Sequence, residues 1–111
     1  MKRAAVLSAL LMLFPAFLAA EDWSNVSIID SHCEAKMKTN ADAHPRDCAL
    51  MCAKSGYGII DQSGSFLKFD AKGNAEAKQL LQNSTRKDHL RVDVTGTKNG
   101  NTIHVTAIKM V

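Results

Sequence analysis

Four residues carry most of the chemistry open to this chain: Cys33, His44, Cys48 and Cys52, with His32 beside the first of them. Three cysteines is an odd count. It allows one disulfide with a thiol left over, an intermolecular pair, or a metal site. Cys48 and Cys52 sit four apart in a segment that reads as a helix, which places their Cβ atoms about 5–6 Å from each other. A disulfide needs Cβ atoms about 3.5–4.5 Å apart, so a bridge between those two is strained. Cys33 bonded to Cys48 or to Cys52 is the expected pair. Such a bridge closes the intervening loop and stabilises the fold by about 3 kcal/mol through the unfolded chain.

A metal is the alternative. His44, Cys48 and Cys52 lie at i, i+4 and i+8, Cys33 could complete a tetrahedral set, and His32 offers a further donor. Thiolate and imidazole ligands suit zinc, or Cu(I) if Met37 or Met51 joins them. A redox-active pair fits less well, because Cys-x-x-x-Cys lacks the two-residue spacing of thioredoxin-like motifs and no βαβ pattern surrounds it. A catalytic cysteine needs a base and an oxyanion site, and nothing marks a substrate pocket. Asp30, Asp42 and Asp47 could be written as general bases, yet residues of this type more often form turns and helix caps. No catalytic residue is assigned, and the chain reads as a non-enzyme.

The compartment follows from the N-terminus. Lys2 and Arg3, the apolar run over 4–13 and a stretch over 16–20 that ends in small residues have the pattern of a secretory signal peptide, with cleavage expected after Ala20. The run is too short, and broken by Pro15, for a membrane span, so no membrane anchor is expected after cleavage. A periplasmic or secreted bacterial protein is the expectation, and thiols in such a compartment tend to pair. Losing Lys2 and Arg3 turns 14 basic residues into 12 against 11 acids, and a formal charge of +3 into +1. That balance lacks the basic footprint of a nucleic-acid binder. Residues 21–111 make one small domain, for which a staple matters to stability.

Several elements must position the cysteines. Val26, Ile28 and Ile29 suggest a first strand over 25–29. The polar stretch 30–44 reads as a long ordered loop, pinned at its start by Cys33. Pro45 opens a short helix, Asp47 suits its first turn, and Gly56 closes it with a positive φ. On that helix Cys48, Met51, Cys52 and Ser55 share one face, while Leu50 and Ala53 form a weaker stripe. Strands over 57–60 and 66–69 flank a turn at 62–65. Asn74 is a good cap for a second helix over 75–82, with Ala77, Leu80 and Leu81 on one side.

Leu90, Val92 and Val94 alternate with polar residues, as a half-buried strand does. Asn99-Gly100 signals a two-residue type I′ turn, pairing Thr95 with His104 and Val94 with Val105. Ile108 and Met110 fall on the other parity, which predicts a β-bulge near Ala107. His89 and His104 alternate outward and read as exposed strand histidines.

Five strands and two short helices describe an α+β, mainly β domain, a small five-stranded OB-like barrel, whose closure the sequence leaves open. The segment Val92-Asp-Val-Thr-Gly-Thr with Asn99-Gly-Asn-Thr-Ile-His-Val105 looks like the closing hairpin of small secreted OB-like barrels. Together with Asp30-Ser-His-Cys33 and Cys48-x-x-x-Cys52 ending at Gly56, it resembles an uncharacterised family of small exported bacterial proteins. That resemblance implies export and the barrel, and brings no activity.

The expected function is therefore an exported binding or structural module, with an envelope ligand or protein as its unnamed partner. Single-stranded nucleic acid, which OB-like barrels often bind, is disfavoured here. Stacking platforms need groove aromatics, and residues 21–111 hold only Trp23, Tyr57, Phe66 and Phe69.

Overall fold

The computed structural model describes residues 19–111. The expected leader lies almost wholly outside them. Among the described residues no helix is long and apolar enough to cross a membrane.

Strand β1 (Glu21–Asp30) is the spine of the fold. Its second half pairs antiparallel with β2 (Tyr57–Ile60), from Ser27 opposite Ile60 to Asp30 opposite Tyr57. Its first half pairs antiparallel with β4 (Arg91–Asn99), from Glu21 opposite Gly96 to Ser27 opposite Arg91. A bulge between Trp23 and Val26 lets one strand serve both neighbours. The strand starts four residues earlier than the sequence predicts. Glu21 to Ser24 have no apolar alternation, and only the pairing with β4 makes them a strand.

β3 (Phe66–Phe69) returns beside β2, and β5 (Thr102–Met110) joins β3 in parallel and β4 antiparallel. The order β1-β2-β3-β5-β4 closes on itself as a barrel. The expected mainly β, OB-like architecture is therefore present, and closure removes free sheet edges.

The β4–β5 hairpin turns one residue later than the type I′ reading had it. Asn99 is the last strand residue, opposite Thr102, and Gly100 and Asn101 form the loop. Thr97 therefore faces His104 and Gly96 faces Val105, in place of the expected pairs. Gly100 takes the positive φ of 62° that the turn requires. The bulge is where it was expected: the register shifts between Thr95 and Gly96, leaving Thr106 extra on β5. Ile108 and Met110 then pack against the core.

Helix α3 (Ala71–Asn83) begins earlier than expected because Asp70, not Asn74, caps it, accepting from Gly73 N at 2.9 Å. Asn74 has a different task, accepting the Tyr57 N–H at 2.8 Å. The buried face of α3 is Gly73, Ala77 and Leu81, at i, i+4 and i+8. Leu81 and Ala77 complete a core with Ile28, Ile59, Leu67, Val92, Val94 and Ile103. A side chain such as Leu81, fully buried, contributes about 2–5 kcal/mol relative to Ala.

The stretch expected as an irregular loop is mostly short helix. Ser31–Cys33 is a 3₁₀ turn, α1 spans Glu34–Met37, and Ala41–Ala43 is a second 3₁₀ turn. Helix α2 (Arg46–Met51) follows, then a 3₁₀ turn Ala53–Ser55 that Gly56 ends at φ 80°. Two backbone bonds tie this connection to the segment before β4: His89 N to Asp42 O and Arg46 N to Lys87 O, both 2.8 Å.

Candidate functional site

The β1–β2 connection leaves the barrel at Asp30 and re-enters it at Tyr57, and its two ends meet. Asp30 is the last residue of β1 and is fully buried. Its Oδ2 accepts the Cys33 N–H at 3.0 Å, capping the 3₁₀ turn that carries Cys33. Its Oδ1 accepts from His44 Nε2 at 2.6 Å, and His44 is buried as well. At the other end, Ser55 Oγ accepts from His32 N at 3.1 Å, and Gly56 O accepts from Ser31 N at 2.9 Å. These bonds draw Cys52 back to Cys33.

The result is a compact donor set. A carboxylate oxygen of Asp30, Sγ of Cys33 and Sγ of Cys52 all lie within 4.8 Å of one another. Both cysteines are half-buried. Burial pushes the Cys33 thiol up to about 11, and the Asp30 carboxylate beside it adds to the rise. Tyr57 lies under the same cluster, its hydroxyl donating to Ala49 O at 2.9 Å. Burial, followed by the charge of Asp30, lifts its phenol to about 12. Both groups are therefore held in their neutral forms beside the Asp30 carboxylate, whose own partner is His44.

The site residues expected from sequence divide. Cys33 and Cys52 come together. Cys48 does not join them: it is exposed. Helix α2 ends at Met51, and the buried position is Ala49, one residue and about 100° further round. The stripe expected to be weaker, with Leu50 and Ala53, is the one packed on the core, while Met51 is 84 % exposed. The Cys33–Cys48 option is therefore not supported by the placement, and all three cysteines are free thiols in this structure.

His44 is near the cluster but not as a ligand on a helix. It precedes α2 in extended backbone, and its Nε2 is committed to Asp30. His32 is exposed and contributes its backbone N–H only. His89 and His104 are exposed, as expected, but only His104 is in a strand: His89 precedes β4 with a φ of 49°.

The residue that sequence reasoning missed as a donor is Asp30. By type it is a turn former, and it acts as one, capping the turn that ends at Cys33. The same carboxylate also faces the two sulfurs. The Asp-Ser-x-Cys motif held the signal, since a carboxylate that caps a helical turn accepts from the third residue of that turn, here Cys33.

Comparison with protein-family models, with curated proteins and with solved structures gives no match for this chain.

Proposed function

We propose that this protein is an exported, non-enzymatic binding module on an OB-like barrel, whose β1–β2 connection is clamped at its base by a zinc ion. The ion would sit between Asp30, Cys33 and Cys52. One observation carries this reading: three donor atoms, from the two ends of one long connection, converge within 4.8 Å. Zinc bonds thiolate at about 2.3 Å and carboxylate at about 2.0–2.2 Å, so donors at these separations need little movement to bind it. A cation would also favour the Cys33 thiolate that Asp30 now opposes. His44 would act from outside the ligand set by fixing the carboxylate, as partners of ligating groups commonly do. The same facts speak against a nucleophilic cysteine, which needs a depressed pKa and a free base.

A second reading has its own support. The two sulfurs are also the pair that a Cys33–Cys52 disulfide would join, in the oxidising compartment that the leader predicts. The binding module would then be stapled covalently, with Cys48 as the leftover thiol.

Intact mass, metal content and alkylation of protein purified from the periplasm without chelator separate the two. The expected result is one metal ion per chain and three alkylatable thiols after denaturation. A loss of two hydrogens with Cys48 alone alkylated would establish the disulfide. Three thiols and no metal would remove both clamps.

A further inference from the structure

The barrel carries a groove on the side of the β1 bulge, walled by β1, the tip of the β2–β3 hairpin and the middle of the β1–β2 connection. Its main part has a volume of about 520 Å³. A second part of about 320 Å³ adjoins it, sharing Ser24, Val26, Asp61 and Gln62. Volumes of about 300–1,000 Å³ are those of small-ligand sites.

We infer that this groove binds a short, uncharged oligosaccharide. The inference deepens the binding-module reading by naming its ligand class, and it is independent of what closes the cysteine clamp.

The charges exclude a polyanion. Arg91 lies in the groove, but its guanidinium is held by Asp42 in a fork, Nε to Oδ1 at 3.0 Å and Nη2 to Oδ2 at 2.7 Å. Lys38 and Asp61 then line the main part together and Asp22 lines the adjoining part, so the lining carries no net positive charge to hold phosphates. An apolar ligand is excluded as well, because polar side chains dominate the lining. What is left to make contacts is neutral: the side-chain amides of Asn25, Asn40 and Gln62 and the hydroxyls of Ser24 and Thr39, all exposed, and the indole of Trp23 at one end. Each amide offers donors and an acceptor at once, which matches the adjacent hydroxyls of a sugar. The half-buried indole offers an apolar face with a polar rim.

Asn25 is held ready for this role. It has a φ of 51° within β1, a left-handed conformation uncommon for a non-glycine residue. Two bonds enforce it: Asn25 N donates to Asp93 Oδ1 at 2.8 Å, and Arg91 Nη1 donates to Asn25 O at 2.8 Å. Asn25 lies in the β1 bulge, where asparagine tolerates a left-handed conformation, so the backbone that carries its amide is fixed at the groove.

The test is a two-dimensional NMR titration of the mature protein with chitotetraose and cellotetraose, and with single-stranded (dT)12 as the anionic control. The Trp23 indole is a unique reporter, since the chain has one tryptophan. Saturable shifts of the Trp23 indole and the Asn25 and Gln62 amides, with one of the tetrasaccharides at about 10 mM or below, are expected. Gln62→Ala, at an exposed position outside the core, should weaken that binding several-fold, and Trp23→Phe about tenfold or less. No saturable shift with either sugar overturns the inference. So do shifts with (dT)12 in place of the sugars, or shifts that leave these three residues unmoved. Metal content and thiol count on the same sample show whether the clamp reading stands or fails separately.

Discussion

His44 Nε2 lies 2.6 Å from Asp30 Oδ1, and neither residue reaches solvent to any useful extent. This contact holds the start of α2 against the end of β1 and leaves the other carboxylate oxygen to cap the turn at Cys33. Asp30→Ala should therefore cost about 3–5 kcal/mol, because it strands a buried partner and opens the cap. Urea unfolding checks this. His44→Ala added to Asp30→Ala should cost much less than its own single effect, and additive losses would show that the pair is not coupled.

Cys33 and the exposed Cys48 should separate by reactivity. With its pKa near 11, Cys33 is thiolate in only about one molecule in a thousand at pH 8. Iodoacetamide should label exposed Cys48 first in metal-free, reduced protein. Labelling of Cys33 should rise about tenfold per pH unit between roughly pH 8 and 10. Equal rates for Cys33 and Cys48 at pH 8, read by peptide mass, would contradict the shift.

Asp42 should contribute to acid stability. Its bonds from Arg91 hold its carboxyl below the ordinary 3.8. The folded value is thus lower than the unfolded one, so the stabilisation is present above the ordinary carboxylate range. It is lost as pH falls through 3.8 and then through the depressed value. Between about pH 5 and 3 the wild-type stability should fall more steeply than that of Asp42→Asn. Parallel slopes would mean that the fork with Arg91 has no linkage to folding.

Gly73 should not tolerate alanine despite lying in a helix. A Cβ there would meet Val105 Cγ2 at 2.5 Å and Phe69 Cβ at 2.9 Å. The change gains about 1 kcal/mol in helix propensity but overpacks the seam between α3 and the barrel, at about 1–3 kcal/mol. A lower urea midpoint is expected, and a raised one would show that the seam yields.

Much of the barrel is legible in the chain. Alternation in 90–95 is local information, and so is the parity break at Ile108 and Met110 that demands a bulge. Gly56 and Gly100 are where backbone sterics require them. What failed locally failed for long-range reasons. Glu21 to Ser24 become strand only by pairing with β4. The stretch 31–44 is held in short helical turns by bonds to Ser55, Gly56 and His89, which no window of sequence contains.

The candidate site shows the same division. By itself the sequence determined the donor types: three cysteines, an Asp-Ser-x-Cys turn and a histidine before Pro45. Helical spacing pointed to Cys48 and Cys52 as one unit, because spacing describes an ideal helix. Tertiary structure decided otherwise. Burial of Ala49 turns Cys48 to solvent, α2 stops at Met51, and the closing connection brings Cys52 to Cys33 and to Asp30. Which thiols meet depends on where a two-turn helix ends and which of its faces the core takes. Those are packing outcomes, settled by residues far away in the chain.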